Sequence, residues 1–211
     1  MLGQGALREC LADSDVEAVL SIGRSGAGLQ HAKLTELVRA DLFTLEELGS
    51  KLDGYDVCLY CLGLSSFRVP EKDYRRLTLD LTVSIAETLL RHNPGMQFLF
   101  ISGTGTDSTG MSSQMWARVK GEAENALLRM PFSAAYMFRP SFIRPLHGSL
   151  PKTPWLRALY AAADPLFPLI KRLAPRHVSN TQELGRAMLH VAKHGFERRI
   201  LENWDFRKAR I

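Results

Sequence analysis

Short apolar, β-branched runs alternate along this chain with longer stretches in which apolar residues recur every three or four positions. The runs fall at 16–23 (VEAVLSIG), 37–43 (LVRADLF), 55–63 (YDVCLYCLG), 96–103 (MQFLFISG) and 133–140 (SAAYMFRP), with a weaker one at 199–203 (RILEN). Compact apolar runs bounded by Gly, Pro or Asp fit strands buried on both faces. The intervening pattern predicts helices over 4–12, 44–52, 71–92, 112–129 and 181–194. In the 71–92 stretch, Tyr74, Leu77, Leu81, Ile85 and Leu89 line up as one apolar stripe. Repeated strand–helix–strand order predicts a doubly wound, Rossmann-like α/β fold with a mostly parallel sheet between helices. A single domain over 1–211 is expected. The one break in pattern lies near residue 145, where Pro145, Gly148, Pro151 and Pro154 gather.

Composition narrows the class. The 211 residues are 45% hydrophobic and 23% charged, with 16 Gly and 10 Pro, which excludes disorder and collagen-like structure. Three cysteines and an opening without a signal-like basic-then-apolar pattern predict a reducing, cytoplasmic setting. No apolar run reaches the roughly 20 residues of a membrane span. The net charge of +5 is uneven: residues 1–100 carry 10 basic and 14 acidic residues, and residues 101–211 carry 17 and 8. A basic half suits a phosphate-bearing ligand, an acidic membrane surface or nucleic acid. The scattered Lys and Arg, without an Arg-rich run or zinc-finger spacing, argue against nucleic acid.

In a doubly wound sheet the ligand lies at the carboxyl ends of the strands. The residues there are Gly23-Arg24-Ser25, Asp41-Leu42, Leu62-Gly63-Leu64, Ser102-Gly103-Thr104 and Arg139-Pro140-Ser141. Cys58 and Cys61 form a CxxC inside a strand pattern. That puts them on opposite faces of the sheet, and no further ligands have zinc-site spacing, so both read as core cysteines. The six histidines show no metal-ligand grouping, and no metal is expected.

The order Gly3-x-Gly5, IGR (22–24), AD (40–41), CLG (61–63), ISG (101–103), WARVKGEAE (116–124) and FRPSFI (138–143) resembles the short-chain dehydrogenase/reductase superfamily. Within it, the chain is similar to the atypical, NAD(P)-binding, epimerase-like group that includes the Tat-interacting-protein type oxidoreductases. Members open with a strand and a Gly-x-x-Gly-x-x-Gly loop that meets the cofactor pyrophosphate. Gly3 matches the third glycine, and the central first strand and first two glycines are absent from this chain. Either the reading frame starts upstream of Met1 or the chain is a damaged copy; the intact remainder favours the first. As it stands, the chain is expected to bind NADP(H) poorly.

The resemblance implies further roles. Arg24 would pair with a 2′-phosphate, which implies NADP(H) in preference to NAD(H). Asp41 would cap the adenine amino group, with Leu42, Leu62, Gly63, Pro140 and Ser141 also along the cofactor. The plain readings are a solvated arginine and a turn aspartate. The reaction centre of the family is a Ser, a Tyr and a Lys, with the last two one helical turn apart. Ser102 and Lys120 match the serine and lysine, and Lys120 would also hold the cofactor. The tyrosine position is Trp116, whose indole donates a hydrogen bond but no proton near neutral pH.

Residues 145–178 match the variable substrate or lid region of the family. The apolar stretch 151–177 reads first as a kinked helix pair over the sheet, second as a lid and third as a peripheral membrane patch. The expected activity is that of an NADP(H)-binding oxidoreductase or epimerase-like protein acting on a small carbonyl or sugar-like substrate, with proton chemistry weakened at Trp116. The alternative is a non-catalytic, nucleotide-sensing regulator with a protein partner. A monomer or homodimer is expected.

Overall fold

A computed structural model of the chain describes residues 1–146, 167, 172 and 176–210. Most of the variable segment 145–178, with its lid and membrane-patch readings, lies outside the described residues. The chain opens with helix α1 (Leu2–Ala12) and the parallel pair β1 (Val19–Gly23) and β2 (Leu34–Val38). A 3-10 segment, Leu45–Leu52, leads to β3 (Val57–Tyr60). Helix α2 (Glu71–Arg75) runs through a π-turn, Arg76–Asp80, into α3 (Leu81–His92). Then come β4 (Gln97–Ile101), α4 (Met115–Arg129), β5 (Ala134–Arg139) and β6 (Phe142–Arg144). The chain closes with β7 (Val178–Asn180), α5 (Thr181–His194), β8 (Ile200–Glu202) and a 3-10 segment, Asp205–Arg210.

Every strand pairing among the described residues is parallel, as the alternation of runs and helices requires. The strands form three ladders: β1–β2, β3–β4–β5–β8 and the short β6–β7. Strand β3 shows why both of its faces are apolar. Tyr60, Cys58 and Leu62 pack into one core with Ile85, Leu89, Phe98 and Phe100. Val57, Leu59 and Cys61 pack into the other with Ala6, Leu99, Leu184 and Met188. The two cysteines of the CxxC thus lie on opposite faces, and burial pushes both thiols up, Cys61 to about 12.

The sheet is interrupted between the β1–β2 and β3–β4–β5–β8 ladders. Leu20, Ile22 and Leu37 join the same core as β3 and β4, and α1 packs on both β1 and β3. Yet neither the outer edge of β1 nor that of β3 has a hydrogen-bonded neighbour among the described residues. The Val19 amide donates to Lys33 and the Asp56 carbonyl accepts from Gln97, so strand alternation turns Leu20, Ile22, Val57 and Leu59 toward the open edges. Their amides are expected to exchange with solvent much faster than those of Phe98 and Leu99 in the paired interior, measured residue by residue by hydrogen exchange. Equal protection would show that both edges are covered.

Several details differ from the sequence expectation. The run at 37–43 is a strand only at 34–38, because Asp41 accepts from the Phe43 amide and turns the chain. Leu77 leaves the apolar stripe and is 40% exposed, whereas Tyr74 is 1% exposed. The π-turn inserts part of a residue step, so Thr78 takes the inward place. Strands β6 and β7 have three residues each, too short for any periodic signal. No helix of the described residues is long and apolar enough to cross a membrane.

Candidate active site at the carboxyl ends of the strands

Beyond β4 the chain stays tied to β5: the Ser102 amide donates to the Phe138 carbonyl and the Thr104 amide to the Pro140 carbonyl, both at 2.9 Å. The following loop folds back on α4. Asp107 organises it by accepting from the amides of Thr109 and Ser112 and from the Thr109 hydroxyl, which hold its carboxyl down at about 2. The loop lies so close to α4 that a Cβ at Gly121 would stand 1.9 Å from the Asp107 carbonyl oxygen. That contact explains a glycine in the middle of a helix.

Helix α4 carries three residues of the site on successive turns: Trp116, Lys120 and Glu124. The Trp116 ring lies over Gly105, 3.3 Å from where a Cβ would stand. The Lys120 ammonium donates to the Ser102 carbonyl, which fixes it at the end of β4. Burial pushes Lys120 down to about 8, against the pull of the Glu124 charge. Glu124 is fully buried. Its two oxygens accept from the Ser102 hydroxyl at 2.5 Å, Ser108 at 3.1 Å, and Nε and Nη2 of Arg139 at 3.0 and 2.6 Å. Burial opposes the Arg139 charge, but the hydrogen bonds and charge of Glu124 outweigh it and raise its pKa. Arg139 also reaches Glu202 on β8, so one ion-pair network links α4, β4, β5 and β8.

This network reassigns the inner hydroxyl. Ser102 is 4% exposed and its hydroxyl is committed to Glu124, so its expected role at a substrate oxygen does not fit this geometry. The hydroxyl that faces outward is Thr104, which is exposed and bonds the Ser141 hydroxyl at 2.6 Å and the Arg139 carbonyl at 3.0 Å. Ser141 is fixed in turn by Asn203. The sequence held a signal for Glu124, an acidic residue one turn beyond Lys120, but none for Ser108 or Asn203, which are brought in by loops.

Of the other candidates, Arg24, Asp41 and Gly63 follow strand ends in the chain, while Leu42, Leu62 and Pro140 are packed inward. A Cβ at Gly3 would stand 3.2 Å from the Cys61 Cβ, so α1 comes close to the end of β3 only because no side chain intervenes. Arg24 is exposed and in no ion pair among the described residues. Its loop is held by Glu36, which accepts from the Ala27 amide. Asp41 makes its turn, while the Leu42 side chain is buried in the core and Leu62 packs against it. Beyond its chain neighbours, Gly63 has no atom within 4 Å of where a Cβ would stand, and Pro140 is buried. The exposed Arg24 guanidinium, the open space at Gly63 and the Lys120 ammonium are groups that suit an anionic dinucleotide. Among the described residues no cluster of His, Cys, Asp or Glu suits a metal.

No family model matches the chain. Over 90% of its length it is 26% identical to Protein HTATIP2 of Rattus norvegicus, spanning 85% of that protein. The fold is shared with dTDP-glucose 4,6-dehydratase DesIV of Streptomyces venezuelae, solved with NAD and TYD bound (TM-score 0.67, 13% identity, 95% of this chain and 71% of that one). WbmH of Bordetella bronchiseptica in complex with NAD+ superposes similarly (TM-score 0.66, 14% identity, 95% and 71%). So does ElxO with NADP bound (TM-score 0.64, 12% identity, 98% and 94%). Relative and fold together bear out the resemblance of this chain to the NAD(P)-binding, epimerase-like branch of the short-chain dehydrogenases/reductases.

Proposed function

We propose that the protein is an NADP(H)-binding oxidoreductase or epimerase-like enzyme for a small carbonyl or sugar-like substrate, with slow proton chemistry. The observation that supports this reading is the approach of Lys120 and Trp116 from α4 to the Gly103–Gly105 loop that carries Thr104, at the ends of β4 and β5. A bound reduced dinucleotide would supply hydride. The chain supplies the rest: Arg24 holds a 2′-phosphate, Lys120 steadies the nicotinamide end, and the bonded Thr104–Ser141 hydroxyl pair borders the place of the substrate carbonyl. The test is NADPH consumption against a panel of aldehydes, ketones and nucleotide sugars. Consumption by no member of the panel, with NADPH bound, would favour a nucleotide-sensing regulator, the reading that the indole at 116 supports.

Cofactor choice gives a sharper test. Arg24→Ala is expected to weaken NADP(H) binding by about 1.5–3 kcal/mol, the scale of a hydrogen bond to a charged group, and to leave NAD(H) binding nearly unchanged. Fluorescence titration with both cofactors reads this. A similar loss for both would mean that Arg24 serves only the loop it sits in.

A further inference from the structure

On the carbonyl-reducing reading, the site must deliver a proton to a substrate oxygen, and position 116 has none to give. Few described titratable groups approach the ends of β4 and β5. Tyr60 and Tyr74 are buried in the core, and the Tyr60 phenol accepts from the Thr82 hydroxyl. Asp107 is turned toward the amides of Thr109 and Ser112, and Glu124 is saturated by Arg139, Ser102 and Ser108. His177 is exposed at the start of β7, where its carbonyl accepts from Phe142.

Lys120 stands apart. Its Nζ lies 3.8 Å from the place a Gly103 Cβ would take, and the Pro140 carbonyl oxygen is 4.0 Å from that same point. This puts the ammonium between the tails of β4 and β5, beside the outward-facing Thr104. One N–H is spent on the Ser102 carbonyl, and among the described residues no other acceptor takes the remaining two. The charged groups around it are Glu124 on its own helix, whose carboxylate is already fully bonded, Arg139 of β5 beyond that carboxylate, and Asp107 on the loop, turned away.

We propose that Lys120 is the proton donor of this site, acting directly on the substrate oxygen in place of a helix phenol. As hydride adds to the carbonyl carbon, the C=O π pair moves onto oxygen. One Nζ–H bond then breaks, its electron pair stays on nitrogen, and the proton completes the new O–H bond. The neutral amine takes a proton back from water. Burial supports this role, since it brings the ammonium to about 8, close to the working range of a general acid. Donation rests on the reading of the site as a carbonyl reductase.

The test compares wild type, Lys120→Arg and His177→Gln. Arginine keeps charge and donors but does not titrate. Acetylation of the cofactor-free chain, followed at Lys120 by mass spectrometry against pH, is expected to show a midpoint about two units below that of exposed lysines. NADPH consumption with glyceraldehyde and benzaldehyde is expected to fall as pH rises past about 8 in wild type and His177→Gln. Lys120→Arg should bind NADPH within about threefold of wild type, lose at least about tenfold in rate, and lose that fall. A Lys120→Arg chain with the rate and pH profile of wild type overturns the proposal. So does a fall that persists in Lys120→Arg and vanishes in His177→Gln. A wild type that binds NADPH and has the low acetylation midpoint, yet reduces neither aldehyde, overturns the donor role and leaves the cofactor reading standing. Absence of NADPH binding overturns that reading and the donor role with it.

Discussion

Trp116→Tyr is expected to accelerate carbonyl reduction by about 10²-fold, and by up to about 10⁴-fold, at saturating NADPH. The phenol would stand one turn before Lys120, whose positive charge lowers a neighbouring phenol's pKa and eases proton transfer. The substitution is sterically mild. The indole lies over Gly105 and is half-buried, and a smaller ring fits the same space. The measurement is NADPH consumption over the carbonyl panel, with the thermal midpoint as a check that the fold is kept. A fast wild type that slows on Trp116→Tyr would show that position 116 does not face the reacting oxygen.

Glu124→Ala is expected to cost about 3–5 kcal/mol of folding stability, because it strands a guanidinium away from water. Arg139 is 13% exposed and Glu124 wholly buried, so solvent offers little compensation. The same change frees the Ser102 and Ser108 hydroxyls, which share that carboxylate. A domain of this size has only about 5–15 kcal/mol to lose. Urea unfolding reads the difference, and Glu124→Gln, which keeps an acceptor but not the charge, should fall between the two. A loss under about 1 kcal/mol for Glu124→Ala would mean that the network rearranges around Arg139.

The sequence was most readable where one physical signal dominated. Helix α5 spans Thr181–His194 as its apolar period predicts, with Asn180 accepting from the Glu183 amide at its start. The strands at 57–60 and 97–101 are short apolar runs because helices cover both faces. Spacing also brought Trp116 and Lys120 to one helix face. What spacing could not show was direction. Ser102 occupies the place where a serine was expected, but a buried carboxylate 22 residues later turns its hydroxyl inward. Leu77 fits the apolar stripe by number, yet a π-turn rotates it out. Both outcomes depend on a third element closing over the first two, and a local pattern carries no information about that.

The interrupted sheet has a consequence for how this chain behaves in company. Neither VLSIG of β1 nor VCLY of β3 contains a charged residue or a proline, the usual guards of a bare strand edge. Both are short, apolar and rich in β-formers, the composition that favours cross-β stacking. Helix α1 packs on both segments while their edges stay unpaired, so loosening of that one helix is expected to widen a template for aggregation before the rest of the domain unfolds.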